Sequence, residues 1–111
     1  FPLAPQPRLF YMFSFNKEFR LLRLMLEELP ADVVDRFVLI EANMTHSGRP
    51  KPLHFANLPR SSRFRAFGVQ GRILHVPVLD MTVDMTDAGR ERFQRDRGVQ
   101  VALDRLGARV F

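Results

Sequence analysis

Asp32-Val33-Val34-Asp35-Arg36-Phe37-Val38-Leu39-Ile40-Glu41-Ala42-Asn43 carries an unbroken apolar run from Phe37 to Ile40 and turns polar at once after it. A short apolar run without alternation marks a strand buried on both faces. Such strands belong to sheets covered by helices, so strand and helix patterns are expected to alternate on either side of it. Upstream, residues 9–15 are apolar and aromatic (Phe10, Tyr11, Phe13, Phe15) and read as a buried first strand. Asn16 offers an N-cap, and residues 17–29 read as a helix with Phe19, Leu22, Met25, Leu26 and Leu29 along one face. Glu27 and Glu28 stand at the unfavourable end of its dipole, and Pro30 stops it.

Downstream, residues 43–71 read as a loop punctuated by Gly48, Pro50, Pro52, Pro59, Gly68 and Gly71, with a short helix expected at 64–67. A loop of that length in a compact domain is more often functional or flexible than a mere connection. Residues 72–78 read as a third strand, with Pro77 marking its end or an edge. A polar connection over 79–89 leads to a last helix, opening at Asp87 or Gly89 and covering 90–106. Its expected apolar side is Phe93, Val99, Ala102, Leu103 and Leu106, and Gly107 ends it. Val110-Phe111 reads as the start of a fourth strand. This order predicts an α/β fold with a mostly parallel sheet and flanking helices. Residues 1–7, with prolines at 2, 5 and 7, form an extended lead-in to a domain spanning 8–111.

At 111 residues the chain is one small domain or a piece of a larger one. Its 46% hydrophobic and 26% charged residues exclude wholesale disorder. No run of 18 apolar residues occurs, so no transmembrane helix lies within these residues. The absence of Cys excludes disulfide scaffolds, Cys-based zinc sites and thiol nucleophiles. The net charge of +5 favours anionic partners such as nucleotides, phosphates, nucleic acid or an acidic surface, and equally fits a solvated basic face. Starting at Phe1 and stopping in an apolar stretch, the chain reads as the N-terminal part of a longer domain.

Ligands of open α/β sheets bind beyond the carboxyl ends of the strands. That rule selects Ser14-Phe15-Asn16-Lys17-Glu18 and Glu41-Ala42-Asn43-Met44-Thr45-His46-Ser47-Gly48. Their amides, carboxylates and hydroxyls suit ribose hydroxyls and a base edge; the same residue types also serve capping and turns. Gly48-Arg49-Pro50-Lys51-Pro52-Leu53 sets two cations among stiff prolines, fit for a phosphate or for a solvated loop, and lacks the glycine spacing of a Walker loop. His46, His54 and His75 match no zinc spacing, and His75 reads as a core or face histidine. There is no Gly-x-Ser-x-Gly elbow. Asp80, Asp84 and Asp87 read as a solvated loop rather than a hard-cation site. Glu91 and Arg95 fit an exposed i,i+4 pair, and any functional arginine of that helix has to point at the strand ends.

Three blocks, in order and spacing, resemble glycosyltransferase family 17: Phe15-Asn16-Lys17-Glu18-Phe19-Arg20-Leu21-Leu22, the stretch quoted at the outset, and Thr45-His46-Ser47-Gly48-Arg49-Pro50-Lys51-Pro52-Leu53-His54-Phe55. The resemblance covers residues 8–111, with Phe93-Gln94-Arg95-Asp96 similar to the family's Gln-Arg helix. It implies a GT-A-like, Rossmann-like sheet that takes UDP-GlcNAc as donor. N-acetylglucosamine would pass in β-1,4 linkage to a mannose of a glycoprotein N-glycan, with inversion and a divalent cation, Mn or Mg. Within it, strand-end geometry assigns Asn16, Glu18, Glu41 and Asn43 to the uridine side and Thr45, Lys51 and Arg95 to the diphosphate. The family's acidic metal-binding cluster and the catalytic base are expected past Phe111, so no metal ligand is expected in this chain and the fragment alone is expected to be inactive. The missing strands would leave an exposed edge and poor solubility. No nucleic-acid partner is implied. Eukaryotic relatives lie on the lumenal side of the Golgi membrane, anchored by a segment outside these residues, and bacterial members leave the compartment open. Two alternatives stand beside this reading: a non-catalytic relative, and a small basic nucleotide- or nucleic-acid-binding α/β module, which no RNP-type or helix-turn-helix pattern supports.

Overall fold

A computed structural model describes residues 9–59, 61–65 and 71–107. The Pro-rich lead-in, Phe67 and the expected strand at Val110-Phe111 lie outside the described residues. Within them are strands β1 (Phe10–Ser14), β2 (Arg36–Ala42) and β3 (Ile73–Val78) and helices α1 (Phe19–Glu28) and α2 (Asp87–Leu106). The strands form one parallel sheet in the order β1-β2-β3, with Met12 opposite Val38 and Val38 opposite Leu74. The expected α/β class is the observed one.

The stretch that announced the fold forms the central strand. Residues 37–42 of β2 are all buried, because β1 and β3 flank it and helices cover both faces. Strand alternation then divides its side chains between two layers. Phe37 and Leu39 join Phe15, Leu22, Leu26, Val34, Phe55 and Ile73 on the α1 side. Val38, Ile40 and Ala42 join Val76, Val78, Met81 and Ala102 on the α2 side. The aromatic β1 was expected to be buried as well, yet Tyr11 is 44% exposed, since β2 is the one described strand beside it. Pro77, opposite Glu41 on β3, is exposed at a position with no described strand beyond it, which suits a residue without an N–H.

Helix α1 presents the expected face: Leu22 and Leu26 are buried, with Phe19, Met25 and Leu29 packed against the same cluster. Its start is different. Asn16 does not cap it; the helix opens at Phe19, and Glu18 at the N-cap position makes no capping bond. The Glu18 side chain reaches backward instead, and its Oε2 accepts from the Asn16 and Lys17 N–H groups at 2.8 and 3.1 Å. At the other end no basic residue stands in the last turn. Arg72 supplies that charge from the foot of β3, donating to the Leu26 and Leu29 carbonyls at 3.2 and 2.6 Å.

Helix α2 is capped by Thr86, whose Oγ1 accepts from Gly89 N–H at 2.9 Å, and ends at Gly107 in the left-handed conformation with φ +64°. Its packed face differs from the expected one. Arg90, Gln94, Gly98 and Ala102 are buried, whereas Leu103 is exposed and Phe93, Val99 and Leu106 are half-buried. The reason is proximity. A Cβ on Gly98 would lie 2.2 Å from Ile40 Cδ1 and 2.8 Å from Met12 Sδ, so only a residue without a side chain lets the helix lie this close to the sheet. No helix of the described residues is long and apolar enough to cross a membrane.

Candidate functional site at the carboxyl edge of the sheet

The parallel sheet brings the ends of β1 and β2 side by side. Phe15 N–H extends the ladder to Ile40 O at 2.7 Å, and Asn16 emerges level with the end of β2. Asn16, Lys17 and Glu18 are exposed there. Beyond β2, residues 43–51 fold back as a narrow hairpin through an antiparallel bridge between Met44 and Pro50. Thr45 N–H donates to Arg49 O at 2.7 Å, and Lys51 N–H donates to Asn43 O at 3.0 Å. Gly48 turns the chain with φ +86°, a value that favours glycine. Thr45 Oγ1 accepts from Arg49 N–H at 3.0 Å and lies 3.0 Å from Ser47 Oγ, so both hydroxyls hold the turn. Asn43 is exposed at the mouth of this hairpin.

Lys51 follows the hairpin and is half-buried. Loss of water holds its ammonium below the usual lysine range, against the opposing pull of the Glu41 and Glu18 carboxylates. Glu18, Glu41 and Lys51 therefore share one electrostatic neighbourhood, fed by three separate segments of the sequence.

Glu41 corrects the expected return of polarity after Ile40. It lies inside β2, is fully buried, and points toward the α1 layer. Its Oε1 accepts from Phe55 N–H at 3.0 Å; its Oε2 accepts from Ala56 N–H at 2.9 Å and meets His75 Nε2 at 2.5 Å. Burial raises its pKa, but the His75 bond and the two backbone N–H groups outweigh that and hold the carboxyl below its ordinary range. Both oxygens are engaged within the protein, so Glu41 stands beneath the crevice as the anchor of residues 55–56 rather than as its lining. His75, expected on a core or face position, is the partner; their pairing depends on the β2–β3 register and has no local sequence signal.

Arg95 is not brought to this edge. It lies on the solvent side of α2, its side chain 61% exposed, 3.5 Å from Glu91. The arginine of that helix that does point at the strand ends is Arg90, one turn earlier. Its side chain is 4% exposed. It donates to His46 O and Met85 O at 2.6 Å each, to Val83 O at 3.2 Å and to Asp87 Oδ1 at 2.8 Å. Arg65 likewise donates inward, to the Ala56 and Leu58 carbonyls. Part of the basic excess thus satisfies backbone carbonyls and is not offered to a polyanion.

The aspartates of the 79–89 connection do not converge. Asp80 pairs with Arg97 at 2.6 Å, which holds its carboxyl below the usual range, and Asp87 pairs with Arg90. Among the described residues no group of three or more His, Asp or Glu side chains is placed to hold a metal ion.

A family model described as Glycosyltransferase family 17 matches residues 3–109. No curated protein and no solved structure matches the chain.

Proposed function

We propose, from the premise that this chain belongs to glycosyltransferase family 17, that it forms the donor side of a transferase moving N-acetylglucosamine from UDP-GlcNAc to a mannose of a glycoprotein N-glycan in β-1,4 linkage. The observation that carries the reading is the family match over residues 3–109, joined to the place of its matching blocks: two of them end at the carboxyl edge of a parallel sheet.

In this reading the exposed Asn16, Glu18 and Asn43 face the uridine. Their amides and carboxylate are matched to a base edge and to ribose hydroxyls. Thr45 keeps the hairpin in shape, and Lys51 meets the diphosphate. A half-desolvated ammonium gains from an anion what it lacks in water, so Lys51 favours the departing UDP more than a solvated lysine would. In the transfer an acceptor hydroxyl oxygen bonds to the anomeric carbon as the bond to the diphosphate breaks. The hydroxyl proton goes to a base that these residues do not supply. Arg95 enters only as a contact from the rim, since its side chain faces solvent.

A divalent cation, Mn or Mg, belongs to the same proposal for the whole enzyme, where it would offset diphosphate charge. No ligand set among the described residues fits it, so no step is assigned to it. A Golgi-lumenal setting for a eukaryotic source is likewise part of the proposal.

The test is titration of UDP-GlcNAc into the whole protein and its Lys51→Ala variant. A charge-assisted contact to the diphosphate predicts roughly tenfold weaker binding in the variant. Equal affinity in the two proteins would remove Lys51 from the donor site.

A further inference from the structure

The search for a second activity returns repeatedly to one side chain that the donor reading does not use. Arg90 is buried at the first turn of α2, and its guanidinium touches both loops that leave the carboxyl edge after β2 and β3. Nε holds the 45–48 turn through His46 O at 2.6 Å. Nη1 holds the 82–86 segment through Thr82 O, Val83 O and Met85 O at 3.4, 3.2 and 2.6 Å. Nη2 pairs with Asp87, whose side chain is 74% exposed. Gly48 closes over the guanidinium: a Cβ there would lie 3.2 Å from Cζ and Nη2. The planar fork has donors pointing in several fixed directions, which a lysine cannot reproduce.

We infer that Arg90 is a positioning residue that locks the Thr45–Gly48 turn to the 82–86 segment, so that both loops at the donor crevice hold one geometry together. The inference rests on the donor reading for its consequence, but the mechanical coupling stands on these contacts alone. A donor bound against Asn43 and Lys51 needs the hairpin between them already in shape; that hairpin is fastened at its tip by Arg90 and at its neck by the Met44–Pro50 bridge. Loss of the tip contact leaves the segment to be ordered by the ligand, which weakens binding without altering the chemistry that follows.

The experiment compares the whole wild-type protein with Arg90→Lys and Gly48→Ala. The second variant keeps the guanidinium but crowds it and strains a left-handed φ. Amide exchange is measured at residues 45–49 and 82–86, with the α1 amides as the reference for intact packing, alongside KM and kcat for UDP-GlcNAc. Faster exchange in both loops together, an unchanged α1, and a donor KM raised about tenfold with kcat within about twofold is the expected result. Loosening of one loop without the other, or an unchanged KM with both loops loosened, would overturn the inference. A wild-type protein that does not bind UDP-GlcNAc would overturn the donor reading and the KM half of this one, while the paired exchange would still decide the coupling. If Arg90→Lys fails to fold, Gly48→Ala decides both readouts.

Discussion

The two faces of β2 are covered in different ways. On the α1 side the cover is apolar and aromatic: Leu22 and Leu26 reach down onto Phe37 and Leu39, with Phe15 and Phe55 stacked edge-on at 6.4 Å between centroids. On the α2 side the contact stripe is Arg90, Gln94, Gly98 and Ala102. One helix is held off the sheet by large side chains; the other lies against it because its stripe is nearly bare. Each face also buries one charge at its carboxyl end. Glu41 on the α1 side accepts backbone N–H groups, and Arg90 on the α2 side donates to backbone carbonyls. Opposite charges thus do the same task, tying an irregular loop to a regular sheet where a ligand is to bind. A carboxylate suits a segment presenting N–H groups, and a guanidinium suits one presenting carbonyls.

The sharpest break of this comparison is Glu41→Ala. It leaves two N–H groups and His75 without their acceptor in a buried place, and a loss of about 3–5 kcal/mol is expected in denaturant unfolding of the whole protein. The same group sets an acid limit. Its pKa is lowered in the folded state, so its stabilising share is complete above the unfolded carboxylate pKa and disappears as pH falls through the folded value. Stability measured down to acid pH should fall less steeply in Glu41→Gln than in the wild type.

Leu26→Ala probes the apolar cover itself and is expected to cost about 2–5 kcal/mol by truncation and cavity formation. Gly98→Ala probes the bare stripe with the opposite move. Helix propensity alone favours alanine by about 1 kcal/mol. The added methyl, however, would be pressed against Ile40 and Met12, so a net loss of about 1–3 kcal/mol is expected. A gain in stability on Gly98→Ala would mean that α2 is not held close to the sheet. Leu103→Ala completes the series: the residue is 37% exposed, and a change within about 0.5 kcal/mol is expected. A large loss there would restore the face that the apolar residues of α2 had suggested.

What was legible in the sequence follows from the same contrast. The apolar run of β2, the face of α1 and the stop signals at Pro30 and Gly107 depend on hydrophobic periodicity and backbone chemistry, both of which are local. The face of α2 was not legible, because a glycine and two polar residues give no hydrophobic signal; only the packing shows that they point inward. Of the donor-side residues, Asn16, Glu18, Asn43, Thr45 and Lys51 were placed correctly at the strand ends by the topology rule. Glu41 and Arg95 were misplaced for one reason each. Glu41 lies one residue inside a strand whose end had been set by polarity, and Arg95 lies on the turn of α2 after the one that faces the sheet. Asn16 was mistaken for the cap because Glu18, two residues later, is long enough to reach back over it.

The most direct measurement is amide hydrogen exchange of the whole protein with and without UDP-GlcNAc. A donor site at the carboxyl edge predicts slowed exchange at residues 16–18 and 43–51, with the far end of α1 near Leu29 unchanged. Exchange unaltered by the nucleotide sugar, or slowed only away from the two strand ends, would contradict it.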